Sequence, residues 1–212
     1  MRASTKPRAN ALAAALALAG LLSAGSLAAA EDETETAVFA GGCFWCVEQA
    51  FEPIDGVVDH TAGFAGGDLE DPTYDEVTGG GTGHIESVRI EYDPDTVTYE
   101  RLLEVFWRNV DPLDPGGQFC DRGESYTTAI FAANADQREA AEASREALAE
   151  SGRFDQPIAT AIRDLDTFYA AEEYHQDYFE KRPLRYKFYV SSCGRYGRLE
   201  ELWGDEARPG QG

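Results

Sequence analysis

From Ala37 onward the apolar positions change period several times. Ala37–Gly41 is a short apolar run that predicts a buried strand, and Cys43 to about Phe51 follows with helical spacing. Pro53 and Gly56 punctuate the next turn, and Val57–Phe64 predicts a second strand. Residues 84–92 alternate cleanly, with Val88, Ile90 and Tyr92 on one face and Ser87, Arg89 and Glu91 on the other. Tyr99, Leu102, Leu103, Phe106 and Val110 fall on one stripe of a helix over Thr98–Val110, with Thr98 as its N-cap. Tyr126–Ala132 predicts a fourth strand. Asn134 then caps a polar helix ending near Gly152, Pro157–Ile162 predicts a further strand, and Ala171–Arg182 predicts a helix stopped by Pro183. Glycine-rich stretches between Gly63 and Gly83 and from Asp111 to Gly123 predict long loops, the first with one helical turn around Tyr74–Val77.

The order strand, helix, strand, strand, helix, strand belongs to the α+β class. It fits a ferredoxin-like two-layer α/β sandwich with a mainly antiparallel sheet and long loops. Functional groups would then sit on those loops and at the ends of strands and helices.

Residues 1–30 have a different composition. Arg2, Lys6 and Arg8 make a basic start, Ala9–Leu22 is rich in Ala and Leu, and small residues end in Ala28-Ala29-Ala30. That is the layout of a secretory signal peptide, with an apolar run short for a membrane span. The expected plan is a signal over residues 1–30, an acidic linker over 31–36, a catalytic domain over 37–204 and a flexible tail over 205–212. The expected location is outside the cytoplasm, in a periplasm, with no stable membrane association after cleavage. Cleavage removes three of the 18 Lys and Arg and none of the 39 Asp and Glu, leaving a net charge of −24. Such a surface repels nucleic acid, and a nucleic-acid partner is excluded.

The candidate chemistry starts at Gly41-Gly42-Cys43-Phe44-Trp45-Cys46. A cysteine at a helix N-terminus faces unpaired N–H groups and the positive end of the helix dipole, which favour the nucleophilic thiolate. Two aromatic rings follow at once, and a second thiol lies one turn on. A nucleophile beside an apolar cage suits a substrate that is apolar and electrophilic. Glu86 falls, by alternation, on the apolar face of Val88, Ile90 and Tyr92, where desolvation raises a carboxyl pKa and lets it donate a proton. His84, on the same face, reads as a loop-fixing residue. Tyr74 and Tyr126 flank glycine-rich loops, Asp121 opens a turn, and Tyr174, His175, Asp177 and Tyr178 cluster with a single imidazole. The four cysteines (43, 46, 120 and 193) leave two structural disulfides open as an alternative. Only Cys43 and Cys46 are closely spaced, so no metal site is expected.

The chain closely resembles the A-type peptide methionine sulfoxide reductases, from about Val38 to Trp203. The resemblance rests on ordered blocks: Gly42-Cys43-Phe44-Trp45, Gly63-Phe64-Ala65-Gly66-Gly67, Pro72-Thr73-Tyr74, Gly83-His84-Ile85-Glu86, Asp121-Arg122-Gly123 followed by Tyr126, and Tyr174-His175-Gln176-Asp177-Tyr178. It implies that Cys43 attacks the sulfur of methionine S-sulfoxide, free or in oxidised proteins. Phe44 and Trp45 would hold the substrate methyl group, Glu86 would protonate the oxygen, and Tyr74 and Tyr126 would hydrogen-bond it. Asp121 would line the site, with Tyr178 nearby. No cofactor is implied beyond an external thiol reductant of thioredoxin type, and a monomer is expected. The chain departs from many members at Cys46, where they carry Gly, and at Thr127, where they carry Arg. Its end, Ser192-Cys193-Gly194-Arg195, replaces a glycine-rich cysteine tail.

After attack, Cys43 becomes a sulfenic acid that a second thiol condenses to a disulfide. Cys193 and Cys46 are the two candidates, Cys193 slightly favoured, with Cys120 expected as a buried small residue. The alternative activity is thiol–disulfide exchange on proteins through Cys43-x-x-Cys46, which leaves Glu86 and the tyrosine blocks unexplained. A binding module with a structural disulfide is a third reading.

Overall fold

The computed structural model describes Met1 and residues 34–210. The expected signal segment lies outside the described residues. In chain order the elements are β1 (Glu35–Gly41), α1 (Phe44–Phe51), β2 (Val57–Ala65), α2 (Tyr74–Gly79), β3 (Ile85–Tyr92) and α3 (Tyr99–Trp107). There follow β4 (Gly117–Gln118), β5 (Asp121–Arg122), β6 (Thr128–Ala132), α4 (Ala135–Glu150), β7 (Ala161–Asp164), β8 (Phe168–Ala170), α5 (Tyr178–Lys181), α6 (Pro183–Cys193) and α7 (Arg195–Trp203). Among the described residues no helix is long and apolar enough to cross a membrane.

The caps expected from sequence are in place. Thr98 accepts from the Arg101 N–H at the start of α3, and Asn134 accepts from Gln137 N–H at the start of α4. The Thr73 and Glu76 side chains form a reciprocal capping box on α2. Pro183 does not end a helix. It occupies the first turn of α6, where its missing N–H costs nothing, and the segment before it is only a 3₁₀ turn and the four-residue α5.

The ferredoxin-like antiparallel sandwich is overturned. The main sheet has six strands in the order β7-β6-β1-β3-β2-β8 and is mixed, because β7 runs parallel to β6. The two outer strands come from one stretch of chain, with only Leu165, Asp166 and Thr167 between them. Four residue steps span at most ~14 Å. Six flat strands would hold their edges ~24 Å apart. The sheet must therefore curl into a half-barrel, as β-strand twist allows. Arg163 on β7 closes the gap by hydrogen-bonding the Gly66 carbonyl at the end of β2. Neither short edge strand has enough alternation to announce its register, which is why the sequence pattern points to a simpler sheet.

The curl gives the sheet two different faces. Val38, Ala40, Ala65, Ile85, Ala129 and Phe131 fill the inside, with Phe168 packed against them. Phe39, Phe64, Val88, Ile90 and Ile130 face the helices, together with Phe44, Phe51, Leu102, Phe106 and Trp203. The strand alternation read from sequence thus serves two cores rather than one core and solvent.

Candidate active site

β1 delivers the chain to Gly42, whose φ of 79 makes the sharp turn into α1. A Cβ there would come within 2.5 Å of the Gln118 Cβ. Gln118 is itself buried, bonding the Asp111 N–H and carbonyl, so it cannot yield easily. This close approach fixes Cys43 as the N-cap of α1.

A cavity of about 70 Å³ is lined by Cys43, Phe44, Trp45, Tyr74, Glu86, Asp121, Tyr126 and Tyr189. Seven of these eight residues were singled out from the sequence. Glu86 is 1% exposed, and its Oε2 accepts the Phe44 N–H at 3.1 Å. The first free amide of α1 thus serves the carboxyl, and not the Cys43 sulfur as expected. Burial pushes the Glu86 carboxyl well up, against the lowering effect of that amide, and Asp121 and Cys46 add to the rise. Glu86 therefore holds a proton within the cavity.

The thiols titrate as a pair. Burial, the Cys46 side chain and the Glu86 and Asp121 carboxyls push Cys43 up. Burial also opposes ionisation of Cys46, but the hydrogen bond from Cys43 and the nearby Arg195 guanidinium outweigh it and bring Cys46 to about 7. The activated thiolate expected at Cys43 is thus held on its neighbour, and moving one proton from Cys43 to Cys46 transfers the charge to the cavity. Arg195 is fixed by the Asn109 carbonyl at 2.6 Å and lies over the Phe119 ring.

Burial and Glu86 push Tyr74 to about 12, and burial with Glu86 pushes Tyr126 higher still. Their hydroxyls lie close to each other and stay protonated. Burial raises Asp121, and Tyr189 donates a hydrogen bond to its Oδ2. Tyr178 does not line the cavity. It stacks on Trp45, with ring centroids 3.9 Å apart, and so holds the indole in place. His175, 2% exposed, packs 4.4 Å from the Tyr74 ring and 5.0 Å from Phe44, and burial lowers its pKa. It is a neutral wedge behind the cage. His84 fixes a loop as expected, accepting from the Gly67 N–H and reaching the Leu69 carbonyl.

Cys120 is not a buried small residue. It is exposed and joined to Cys193 in a disulfide, while Cys43 and Cys46 are free. Among the described residues two clusters bring ligand-type side chains together: Cys120, Asp121 and Cys193, and Glu48, His60 and Asp177. In the first, both sulfurs are committed to the disulfide. In the second, burial alone would lower His60, but Glu48 and Glu52 hold it at about 9, so the group is an ion pair at neutral pH.

Tyr189 and Arg195 were not assigned from sequence, whereas His175, the single imidazole of its cluster, packs as a structural residue as its lone occurrence suggested. Tyr189 lies on α6, whose residues carry no clear apolar stripe, and Arg195 is a charged residue at the buried start of α7. Two further findings decide the family. The peptide methionine sulfoxide reductase family model matches residues 35–207. The peptide methionine sulfoxide reductase MsrA of Bacillus licheniformis is 52% identical over 173 residues, covering 82% of this chain and 96% of that protein. The chain belongs to the peptide methionine sulfoxide reductase family. It is an oxidoreductase of the A type, acting on methionine S-oxide. The Bacillus subtilis MsrA is 49% identical, with 82% and 98% covered. Among solved structures, reduced Mxr1 of Saccharomyces cerevisiae is similar at 33% identity, TM-score 0.65, with 72% of this chain and 87% of that one covered. Methionine sulfoxide reductase A of Corynebacterium diphtheriae is similar at 36% identity, TM-score 0.64, with 71% and 76% covered.

Proposed function

We propose that the cavity reduces the sulfoxide in four steps carried by named residues. The substrate methyl group enters the pocket walled by Phe44 and Trp45, which Tyr178 and His175 brace. The sulfoxide oxygen meets the Glu86 carboxylic acid and the Tyr74 and Tyr126 hydroxyls. The Cys43 proton passes to Cys46, the Cys43 thiolate attacks sulfur, and Glu86 delivers its proton to the oxygen. Methionine leaves and Cys43 becomes a sulfenic acid, which the adjacent Cys46 thiol condenses to a disulfide, releasing water.

The observation that carries this reading is the pairing of a buried, protonated Glu86 with a thiol in one small aromatic cavity. An oxide oxygen is a poor leaving group until it is protonated, so acid and nucleophile are both required. Exchange on protein disulfides needs no such acid and no cage. The reductant is an external dithiol of thioredoxin type, and the working form is a monomer. Residues 1–30 direct export to the periplasm and are removed near Glu31.

The decisive assay supplies the purified chain with separated S and R epimers of a methionine sulfoxide peptide and excess dithiothreitol. Turnover of S alone, abolished in Cys43→Ser, is expected. Equal turnover of both epimers, or activity retained in Cys43→Ser, overturns the mechanism. N-terminal sequencing of exported material tests the cleavage site, and an intact leader in the membrane fraction contradicts it.

A further inference from the structure

We propose that Glu48, His60 and Asp177 form a Zn²⁺ site that ties α1 and β2 to the start of α5, with Glu52 holding the imidazole from behind. The site lies outside the sulfoxide cavity and stands independently of its chemistry.

Three elements bring the donors together. Glu48 lies on α1, His60 on β2, and Asp177 is the N-cap of α5. One donor atom from each lies within 4.8 Å of the other two. His60 Nδ1 is 3.4 Å from Glu48 Oε1 and 3.9 Å from Asp177 Oδ1. A tetrahedral ion with bonds of about 2.0–2.2 Å sets its ligands roughly 3.3–3.6 Å apart. A small inward movement of Asp177 therefore completes three corners, and a water molecule takes the fourth. Cysteine spacing gives no hint of this set, which holds no thiol.

Unpaired buried atoms point to the ion independently. The His60 side chain is 6% exposed and that of Glu48 0%. Among the described residues neither His60 Nδ1 nor Glu48 Oε2 has a hydrogen-bond partner, and both atoms are shut off from solvent. Buried polar atoms left in this way are costly. The other ring nitrogen is arranged as in a metal site: Nε2 stands 2.8 Å from Glu52 Oε2. A proton held between them turns the Nδ1 lone pair toward the two inner carboxylates, the arrangement of a carboxylate–histidine–zinc triad. Acceptors at 3.4 and 3.9 Å lie beyond the ~3.2 Å reach of a good N–H···O bond. A proton on Nδ1 thus fills the gap poorly, and an ion bonded to all three donors fills it well. At neutral pH Zn²⁺ displaces that proton as it binds.

Charge and donor type select the ion. Glu48, Glu52 and Asp177 surround a single imidazole, so negative charge is in excess. Lys181 Nζ engages the other oxygen of Asp177, Oδ2, at 3.5 Å and is shared with Glu173 at 3.0 Å. An imidazole beside two carboxylates suits Zn²⁺, whereas Mg²⁺ and Ca²⁺ take oxygen donors. Asp177 directly precedes Tyr178, whose ring stacks on Trp45. The ion would anchor this brace of the aromatic cage to the helix that carries Trp45.

The test uses the purified chain as Cys43→Ser/Cys46→Ser with the Cys120–Cys193 bridge oxidised, so that no free thiol competes for metal. It is stripped with a chelator, dialysed, and titrated with ZnCl₂ by calorimetry, with a large excess of Mg²⁺ to occupy the acidic surface. One equivalent should bind. His60→Gln and Asp177→Asn, made in the same background, should each weaken binding more than tenfold, and Asn tolerates the left-handed backbone at 177. Glu52→Gln, at a half-exposed position that does not threaten the fold, should weaken it on the order of 10–100-fold. Bound Zn²⁺ should raise the Tm of the parent by several degrees and leave that of His60→Gln unchanged. It should also slow amide exchange at Asp177 and Tyr178. Circular dichroism of the metal-free variants confirms that they are folded. No saturable uptake by the parent overturns the site, as does unchanged affinity in the folded variants. Uptake that leaves exchange at Asp177 and Tyr178 untouched overturns the tie to α5.

Discussion

Glu86 must keep a proton that water would strip from it. Its position on β3 turns it toward the helices, where it is 1% exposed and has the Phe44 amide as a partner. The amide alone would favour the carboxylate, but burial wins, and the pKa moves well up. Glu86→Gln keeps the amide contact and removes the proton, so kcat should fall on the order of 10²–10⁴-fold while the fold persists. A variant within a few-fold of wild type would pass the acid role to Tyr74 or Tyr126. The same groups set the pH profile of kcat/KM. The thiol pair must lose one proton to attack, so activity should rise with pH through a limb near 7, set by Cys46 with Cys43. Glu86 must stay protonated, so activity falls again as pH passes its raised pKa. In Glu86→Gln the alkaline fall should disappear from the residual rate, while the limb near 7 remains. A profile in which the variant keeps the same alkaline fall would assign that fall to another group.

The turn from β1 into α1 converts these side chains into a site. Gly42 has a positive φ and stands against Gln118, so any Cβ is both strained and crowded. Gly42→Ala should cost about 1–3 kcal/mol of stability and displace Cys43 relative to Glu86. Urea denaturation would show the first effect, and a kcat loss larger than the KM change the second. Normal stability with full kcat would mean that the turn tolerates a side chain. Much of this region was legible from the chain itself. A strand, a glycine pair, a cysteine and an aromatic pair leave few arrangements, and the alternation of 84–92 placed Glu86 correctly. Other parts were not legible for physical reasons. Pro183 breaks a helix interior and starts a helix equally well, and only packing of α6 over Cys46 decides between them. The Cys120–Cys193 bridge joins residues 73 apart in sequence, and spacing carries no information on that pairing. The dipole argument expected a thiolate on Cys43, but the first amide of α1 goes to the protonated Glu86 carboxyl, which arrives from a strand 42 residues away.

The molecule as a whole binds these local devices to a strongly acidic surface. The curled sheet fixes the site's two sides, since α1 and β3 meet at Glu86 on its helix-facing side. Stability must then survive an excess of like charge, with 39 Asp and Glu against 18 Lys and Arg. The basic side chains are used in pairs such as Arg138 with Asp164, Arg108 with Glu206 and Arg198 with Asp111. Exposed pairs of this kind contribute only ~0–1 kcal/mol each, and salt weakens them. Salt also screens the repulsion among unpaired carboxylates, which acts over longer distances and involves more groups. The Debye length falls from ~30 Å at 0.01 M to ~10 Å at 0.1 M, so the long-range repulsion is lost first and the close pairs are affected least. The balance favours screening, and Tm should rise by several degrees between 10 mM and 300 mM NaCl. Sodium chloride rather than sulfate is the right probe, because sulfate also strengthens apolar burial. Lowering the pH toward the pI of about 4.4 should shrink the salt effect as carboxylates protonate. A Tm that falls with NaCl at neutral pH would show that the ion pairs outweigh the net charge, and that the acidic surface does not destabilise this fold.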